Sequence, residues 1–148
     1  MQKTTVDEIL DFAIAGEKAE TAFYLELAAK MDNDAMKKVF EDFAAEEEKH
    51  KNILEGVKQG KAFEAGEIAD LKIADYVVNV EARPDMEYQD ALILAMKREK
   101  AAFAMYSRLA EVTQSQEMRR TFQMLAQEEA KHKLYFETEY DQMILKDN

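Results

Sequence analysis

The sequence contains no cysteine and little glycine or proline, with four Gly and one Pro among 148 residues. The lack of cysteine excludes disulfides, thiolate catalysis, and any haem, iron or zinc site held by cysteine in this chain. Glycine and proline are the residues least favourable inside a helix. Their scarcity, with abundant Ala, Leu, Glu, Lys and Met, predicts an all-helical protein.

Basic residues are also under-represented, because 20 Lys and Arg face 31 Asp and Glu and give a net charge of −11. This balance argues against binding to nucleic acid or to anionic membranes, which both require a basic surface. No apolar run approaches the roughly 20 residues of a membrane-spanning helix, and no apolar stretch typical of a secretory signal follows Met1. We therefore expect a cytoplasmic protein, and a length of 148 residues fits a single domain.

The two histidines of the chain occur in the same short pattern, 82 positions apart. The two copies of Glu-x-x-His are Glu47 to His50 and Glu129 to His132. When residues 17–55 are aligned with residues 99–137, 16 of the 39 positions are identical without a gap. The sequence therefore predicts one helical hairpin present twice, with a glutamate in its first helix and Glu-x-x-His in its second.

The turn and capping signals divide the chain into a hairpin at 5–59, a crossover at 60–86 and a second hairpin at 87–143. Thr5 and Glu8 form a capping-box pattern at the first helix. The predicted helices cover 5–31, 35–59, 86–112 after a cap at Asp85, and 115–143, with a short extra helix at 68–78 and a frayed tail at 145–148. Short connections within each hairpin and one long crossover predict an up-down-down-up four-helix bundle.

Six ionisable residues fall on the apolar stripes that should face the core: Glu17, Glu47, His50, Glu99, Glu129 and His132. In a helix, residues i and i+3 lie on one face, so each Glu-x-x-His can direct both side chains at one site. Four carboxylates would balance the charge of two divalent ions, whereas without metal they would repel one another in an apolar core. An oxygen-rich set with one imidazole per ion suits iron, or manganese, better than structural zinc.

Three further glutamates, at 46, 48 and 128, lie off the stripes and are expected to face solvent. Phe103 lies on the stripe of the third helix and is expected in the core. Tyr24 and Tyr106 occupy the same faces as Glu17 and Glu99. We expect their hydroxyls to bond a ligand carboxylate or line the site, with a catalytic radical or proton-relay role as the alternative.

The run Ala15-Gly16-Glu17 with Tyr24, together with the two Glu-x-x-His motifs, resembles the rubrerythrins of the ferritin-like di-iron carboxylate superfamily. The resemblance covers essentially the whole chain and implies a ferritin-like four-helix bundle that holds two iron ions. It implies the six ligands named above. It also implies a homodimeric, non-haem di-iron oxidoreductase that reduces hydrogen peroxide, or dioxygen, to water.

The sequence departs from that family pattern in two ways. Rubrerythrins carry a further glutamate three residues after the third-helix ligand, where this chain has Ala102; the internal repeat places Glu20 at the equivalent position of the first helix. We hypothesise that Glu20 is an additional or redox-switchable ligand that also passes protons. The chain also lacks the cysteine-ligated rubredoxin module, so electrons would come from a separate protein such as a rubredoxin.

Three alternatives follow from the same residues. Bacterioferritins share the paired Glu-x-x-His but place a haem-ligating methionine where this chain has Glu48, so no haem is expected. An iron-storage protein with ferroxidase activity would assemble into a cage and take up far more than two ions per chain. A metal-stabilised structural or partner-binding bundle would show no redox turnover.

Overall fold

The computed structural model describes residues 3–60, 67–69 and 87–147. Four long helices form a bundle, which confirms the predicted all-α architecture: α1 (Val6–Lys30), α2 (Asp34–Gly60), α3 (Tyr88–Val112) and α4 (Gln116–Asp147). Two three-residue strands, β1 (Lys3–Thr5) and β2 (Glu67–Ala69), accompany them. Residues outside the described ranges include Asp85 and positions 70–78, on which the predicted third-helix cap and most of the short crossover helix fall.

Side-chain caps fix the beginnings of α1 and α2. The Thr5 hydroxyl accepts the backbone N–H of Glu8 at 3.1 Å, as the capping-box pattern predicts. At α2, the Asn33 side-chain oxygen accepts the N–H groups of Ala35 at 2.8 Å and Met36 at 3.2 Å. These bonds satisfy backbone donors that a helix leaves without an internal acceptor, and they place the turn between α1 and α2 at residues 31–33.

The ends of the second hairpin differ from the prediction. Helix α3 begins at Tyr88 after Glu87, whose side chain makes no capping bond. Helix α4 continues to Asp147, so the prediction of a frayed tail at 145–148 is wrong for residues 145–147. Met143 packs against the core near this end, and no glycine or proline interrupts the segment that follows it.

Strands β1 and β2 pair antiparallel, with Lys3 opposite Ala69 and Thr5 opposite Glu67. Ile68 and Ala69, the first two residues of the predicted crossover helix, lie in β2 and not in a helix. The pairing joins the start of the chain to the crossover. Local sequence patterns do not reveal it, because the partners lie more than 60 positions apart.

Side-chain contacts between the hairpins define the helix directions. Tyr24 contacts Glu99 and Tyr106 contacts Glu17, so α3 runs antiparallel to α1. The pairs between α2 and α4 show the same reversal, since residue 50 contacts residue 129 and residue 47 contacts residue 132. The order is therefore up-down-down-up, and the parallel direction of α2 and α3 explains why a long crossover joins them.

The apolar core consists of two clusters separated along the bundle. The first, here called the Tyr106 cluster, includes Val6, Leu10, Ala13, Leu54, Tyr106, Leu109, Met118 and Phe122. The second, the Tyr24 cluster, includes Tyr24, Leu27, Phe40, Ala44, Tyr88, Leu92 and Phe136. Phe103, predicted in the core, is 41% exposed instead, because the buried residues of α3, among them Ala95, Met105 and Leu109, centre on one side of it around the helix.

The contribution of the Asn33 cap to the stability of the first hairpin can be tested by mutation. Replacing Asn33 with Ala should lower the free energy of unfolding by about 1 kcal/mol, because two backbone donors lose their acceptor. The measurement is chemical denaturation of the purified protein. Asp32→Ala, in the same turn but outside these bonds, is the control and should change the value by less than about 0.5 kcal/mol. Equal effects of both changes would contradict the assigned cap.

Candidate metal centre

A layer of ionisable side chains lies between the two apolar clusters. Every helix contributes to it at the point where its residues pass from one cluster to the other. Its members are no more than 7% exposed: Glu17, Glu47, His50, Glu99, Glu129 and His132. All six sequence-predicted core ligands are thus brought together in one buried place.

The layer divides into two groups of possible ligands that share two carboxylates. Glu17 and His50 belong to one group, Glu99 and His132 to the other, and both groups include the two Glu-x-x-His glutamates, Glu47 and Glu129. Within each group the ligand atoms lie within 4.8 Å of one another. This arrangement has one terminal carboxylate and one imidazole for each of two ions, with two carboxylates placed between them.

The imidazoles direct Nδ1 toward the carboxylates of the opposite hairpin. His50 Nδ1 lies 2.9 Å from Glu129 Oε1, and His132 Nδ1 lies 3.1 Å from Glu47 Oε1. The two rings are nearly parallel, with centroids 5.8 Å apart. Because each motif reaches across to the other, neither hairpin can form the site alone.

A tyrosine hydroxyl from each cluster donates a hydrogen bond to one terminal carboxylate. Tyr24 donates to Glu99, and Tyr106 donates to Glu17. Both phenols are completely buried, and burial followed by the neighbouring carboxylate charges raises their pKa well above the usual value. The hydroxyls therefore stay protonated and act as fixed donors that orient the glutamates.

Burial and neighbouring groups shift the pKa values of three carboxyl groups. Burial raises the pKa of Glu17 well above its usual value, and the adjacent Glu47 carboxyl group acts in the same direction. The pKa of Glu129 is also raised well above its usual value, first by burial and then by the charge of Glu99. Burial opposes ionisation of Glu47 too, but its contacts with Glu17 and the two imidazoles outweigh it and lower its pKa.

The pKa values of the two imidazoles are raised, although burial alone would lower them. Burial acts to lower the pKa of His50, but the nearby carboxylates of Glu17 and Glu47, 3.7 and 3.6 Å from Nδ1, outweigh it and raise the pKa to about 10. The corresponding carboxylates of Glu47 and Glu99 raise the pKa of His132 to about 9. Without a cation in the layer, protons on the imidazoles therefore compensate part of the carboxylate charge.

The donor set fits two divalent ions. In each of the four glutamates of the layer, Oε2 is buried and has no hydrogen-bond partner within the described part of the chain. A buried carboxylate oxygen without a donor is unfavourable, and a cation bound among the four would satisfy all of them. Carboxylates with one imidazole per ion are the ligands typical of iron and manganese sites.

Glu20, the seventh predicted ligand, lies beside the layer and belongs to neither group. Its Oε1 accepts a hydrogen bond from Arg98 Nη1 at 3.0 Å. Burial raises the pKa of Glu20 to about 7. The positive charge of Arg98 opposes this shift, and the negative charge of Glu99 adds to it. Its assignment as a ligand, like that of the other six, stays a prediction.

Comparison with known proteins agrees with this geometry. The family model described as rubrerythrin matches residues 8–140. The chain belongs to the rubrerythrin family. A hypothetical protein from Pyrococcus furiosus has a similar structure, with a TM-score of 0.71 and 26% sequence identity over 93% of this chain and 89% of that one. A search of curated proteins finds no significant match.

Rubrerythrin membership and the buried carboxylate–imidazole layer together fit a di-iron protein, in agreement with the resemblance seen in the sequence. Membership indicates a di-iron oxidoreductase in general. Within the described ranges, none of the helices has the length and apolar character needed to cross a membrane.

Two features of the rubrerythrin site escaped the sequence analysis. Arg98, which pairs with Glu20 and lies over the Phe23 ring at 4.2 Å, was not singled out. The sequence does mark Arg98 as unusual, because the internal repeat aligns it with a glycine, Gly16. The exchange of tyrosines between hairpins was also missed, because it depends on the antiparallel register of α1 and α3.

The pKa shifts predict that metal binding releases protons. At neutral pH the metal-free protein holds protons on both imidazoles, and the raised pKa values of Glu17 and Glu129 favour the protonated forms of these carboxyl groups as well. Since ligands must lose their protons, ferrous affinity should rise from about pH 6 to about pH 8. Anaerobic calorimetry in buffers of different ionisation enthalpy measures both the number of protons released and the ferrous affinity. Binding without proton release, or with an affinity independent of pH, would contradict the assigned charge states.

Proposed function

We propose that the protein is a non-haem di-iron oxidoreductase that reduces hydrogen peroxide, or dioxygen, to water with electrons from an external donor. The observation that carries this proposal is the pair of ligand groups sharing Glu47 and Glu129, each completed by one imidazole and one terminal carboxylate. Two bound ferrous ions would supply Lewis acidity and the two electrons that, with two protons, convert hydrogen peroxide to two molecules of water.

The residues around the layer support redox turnover more than a purely structural role. Tyr24 and Tyr106 hold the terminal carboxylates in place by hydrogen bonds. The two apolar clusters cover the layer on both sides and limit the access of water. A fixed, water-poor environment lowers the reorganisation that a change in metal charge requires.

Glu20 is the candidate proton donor. Its raised pKa, about 7, allows the carboxyl group to hold a proton near neutral pH and to give it to a reduced oxidant. The side chain is largely buried, at 15% exposure, and Arg98 fixes its orientation. The chain has no cysteine and hence no cysteine-held iron centre of its own, which supports a separate electron-donor protein such as a rubredoxin.

The direct test is anaerobic loading with two ferrous ions per chain, followed by rapid mixing with hydrogen peroxide or with dioxygen. The near-ultraviolet absorbance of ferric iron reports oxidation. We expect faster oxidation by peroxide and a return to ferrous iron when a reductant is added.

The outcomes separate the alternatives. Faster oxidation by dioxygen, with uptake far beyond two ions, would indicate a ferroxidase that stores iron. No oxidation by either reagent would leave a structural or manganese site. Glu129→Gln and Glu128→Gln form a matched pair, because only the first residue belongs to the ligand groups. Ferrous binding should fall in Glu129→Gln and persist in Glu128→Gln.

Glu20→Gln tests the proton-donor role. The amide keeps the size and the bond to Arg98 but cannot release a proton, so oxidation by peroxide should slow by about a hundredfold. Ferrous stoichiometry should not change. The control is Glu26→Gln, on the same helix in an exposed pair with Lys30. An unaltered rate would contradict the role, and a loss of bound iron would identify Glu20 as a ligand instead.

A further inference from the structure

A small cavity of about 60 Å³ lies between α1 and α3, next to the buried layer. Its walls include Gly16 from α1 and Ala102 and Met105 from α3. Glu17 and Tyr106, both deeply buried, also line it, so the cavity reaches one terminal carboxylate of the layer. It thus connects with one half of the centre, the half that contains Glu17 and His50.

The other half of the centre has a different surrounding, although the ligands themselves repeat. The repeat aligns Gly16 with Arg98, Met105 with Phe23, and Ala102 with Glu20. At the second half, the larger members of these pairs fill the space. The Arg98 guanidinium lies 4.2 Å from the centroid of the Phe23 ring, and that ring packs 5.2 Å from Tyr24. Phe23 is only 5% exposed.

The lining of the cavity suits a small polar oxidant. Its volume of about 60 Å³ is below the roughly 150 Å³ of a cavity that binds benzene, and it is not fully enclosed. The Glu20 carboxylate adds a hydrogen-bond acceptor to the lining, which suits hydrogen peroxide as a donor.

We infer that this cavity is the entry and binding pocket for the oxidant, and that it opens onto the Glu17 half of the centre. The inference rests on the proposed function and adds to it a binding site and a direction of approach. The chemistry is unchanged: two bound ferrous ions would supply two electrons, and two protons would be taken up, for each molecule of peroxide converted to water.

Two glycines allow a matched test. A Cβ built at either Gly16 or Gly56 meets no atom within 4 Å, so both positions accept the first carbon of a side chain without a clash. Gly16 lines the cavity, whereas Gly56 lies exposed on α2. Leucine favours helix more than glycine does, so both variants should fold. Ala102→Leu fills the same cavity from the opposite wall.

With two ferrous ions bound, Gly16→Leu and Ala102→Leu should react with hydrogen peroxide about tenfold more slowly than the unaltered protein, and Gly56→Leu at the unaltered rate. Xenon pressurised into metal-free crystals provides a readout independent of turnover. It should occupy the cavity in the unaltered and Gly56→Leu proteins but not in Gly16→Leu.

Equal peroxide rates in both blocked variants and the unaltered protein would overturn the inference while leaving the proposed function intact. If the unaltered protein reacts with neither hydrogen peroxide nor dioxygen, the proposed function fails, and the assignment of an oxidant to the cavity fails with it.

Discussion

Four carboxylates and two imidazoles share one layer in which no residue is more than 7% exposed. Moving each ionised group there from water is unfavourable by an amount on the order of several kcal/mol unless a counter-charge accompanies it. Protons, tyrosine hydroxyls and the opposite imidazoles compensate only part of this in the metal-free chain, because one oxygen of each glutamate keeps no hydrogen-bond partner among the described residues. The four helices are therefore arranged around a site that fits two divalent cations.

The division of the core follows from the same layer. Ionisable groups cannot be mixed with apolar side chains without losing their partners, so the apolar residues of each helix separate into one cluster on either side. Each cluster then provides one buried tyrosine whose hydroxyl points into the layer. The packing of the two clusters fixes the positions of the helices. The tyrosine hydroxyls, held by that packing, then orient the carboxylates of Glu17 and Glu99 by hydrogen bonds.

Much of this arrangement is readable in the sequence because it is local and repeated. The i, i+3 spacing of Glu47 and His50 on an apolar stripe predicts a buried ligand pair from helix geometry alone, and the repeat supplies the second pair. The β1–β2 pairing and the Glu20–Arg98 contact were not predictable in this way, because both join residues more than 60 positions apart. Phe103 shows a further limit: its exposure depends on a small rotation of α3 that an apolar pattern does not determine.

The internal repeat explains why the layer is symmetric, and its breaks mark where the surroundings of the two halves differ. Identical residues at 17 and 99, 24 and 106, and 47 and 129 give the two ligand groups matching side chains. Around this interior, the repeat aligns Gly16 with Arg98 and Met105 with Phe23, and the two changes act together: one side keeps a cavity and the other is packed. Two ions bound in this layer would hold two equivalent electrons, whereas the proposed approach of an oxidant from one side would require only one opening. The chain thus combines a symmetric set of ligand residues with an asymmetric wall.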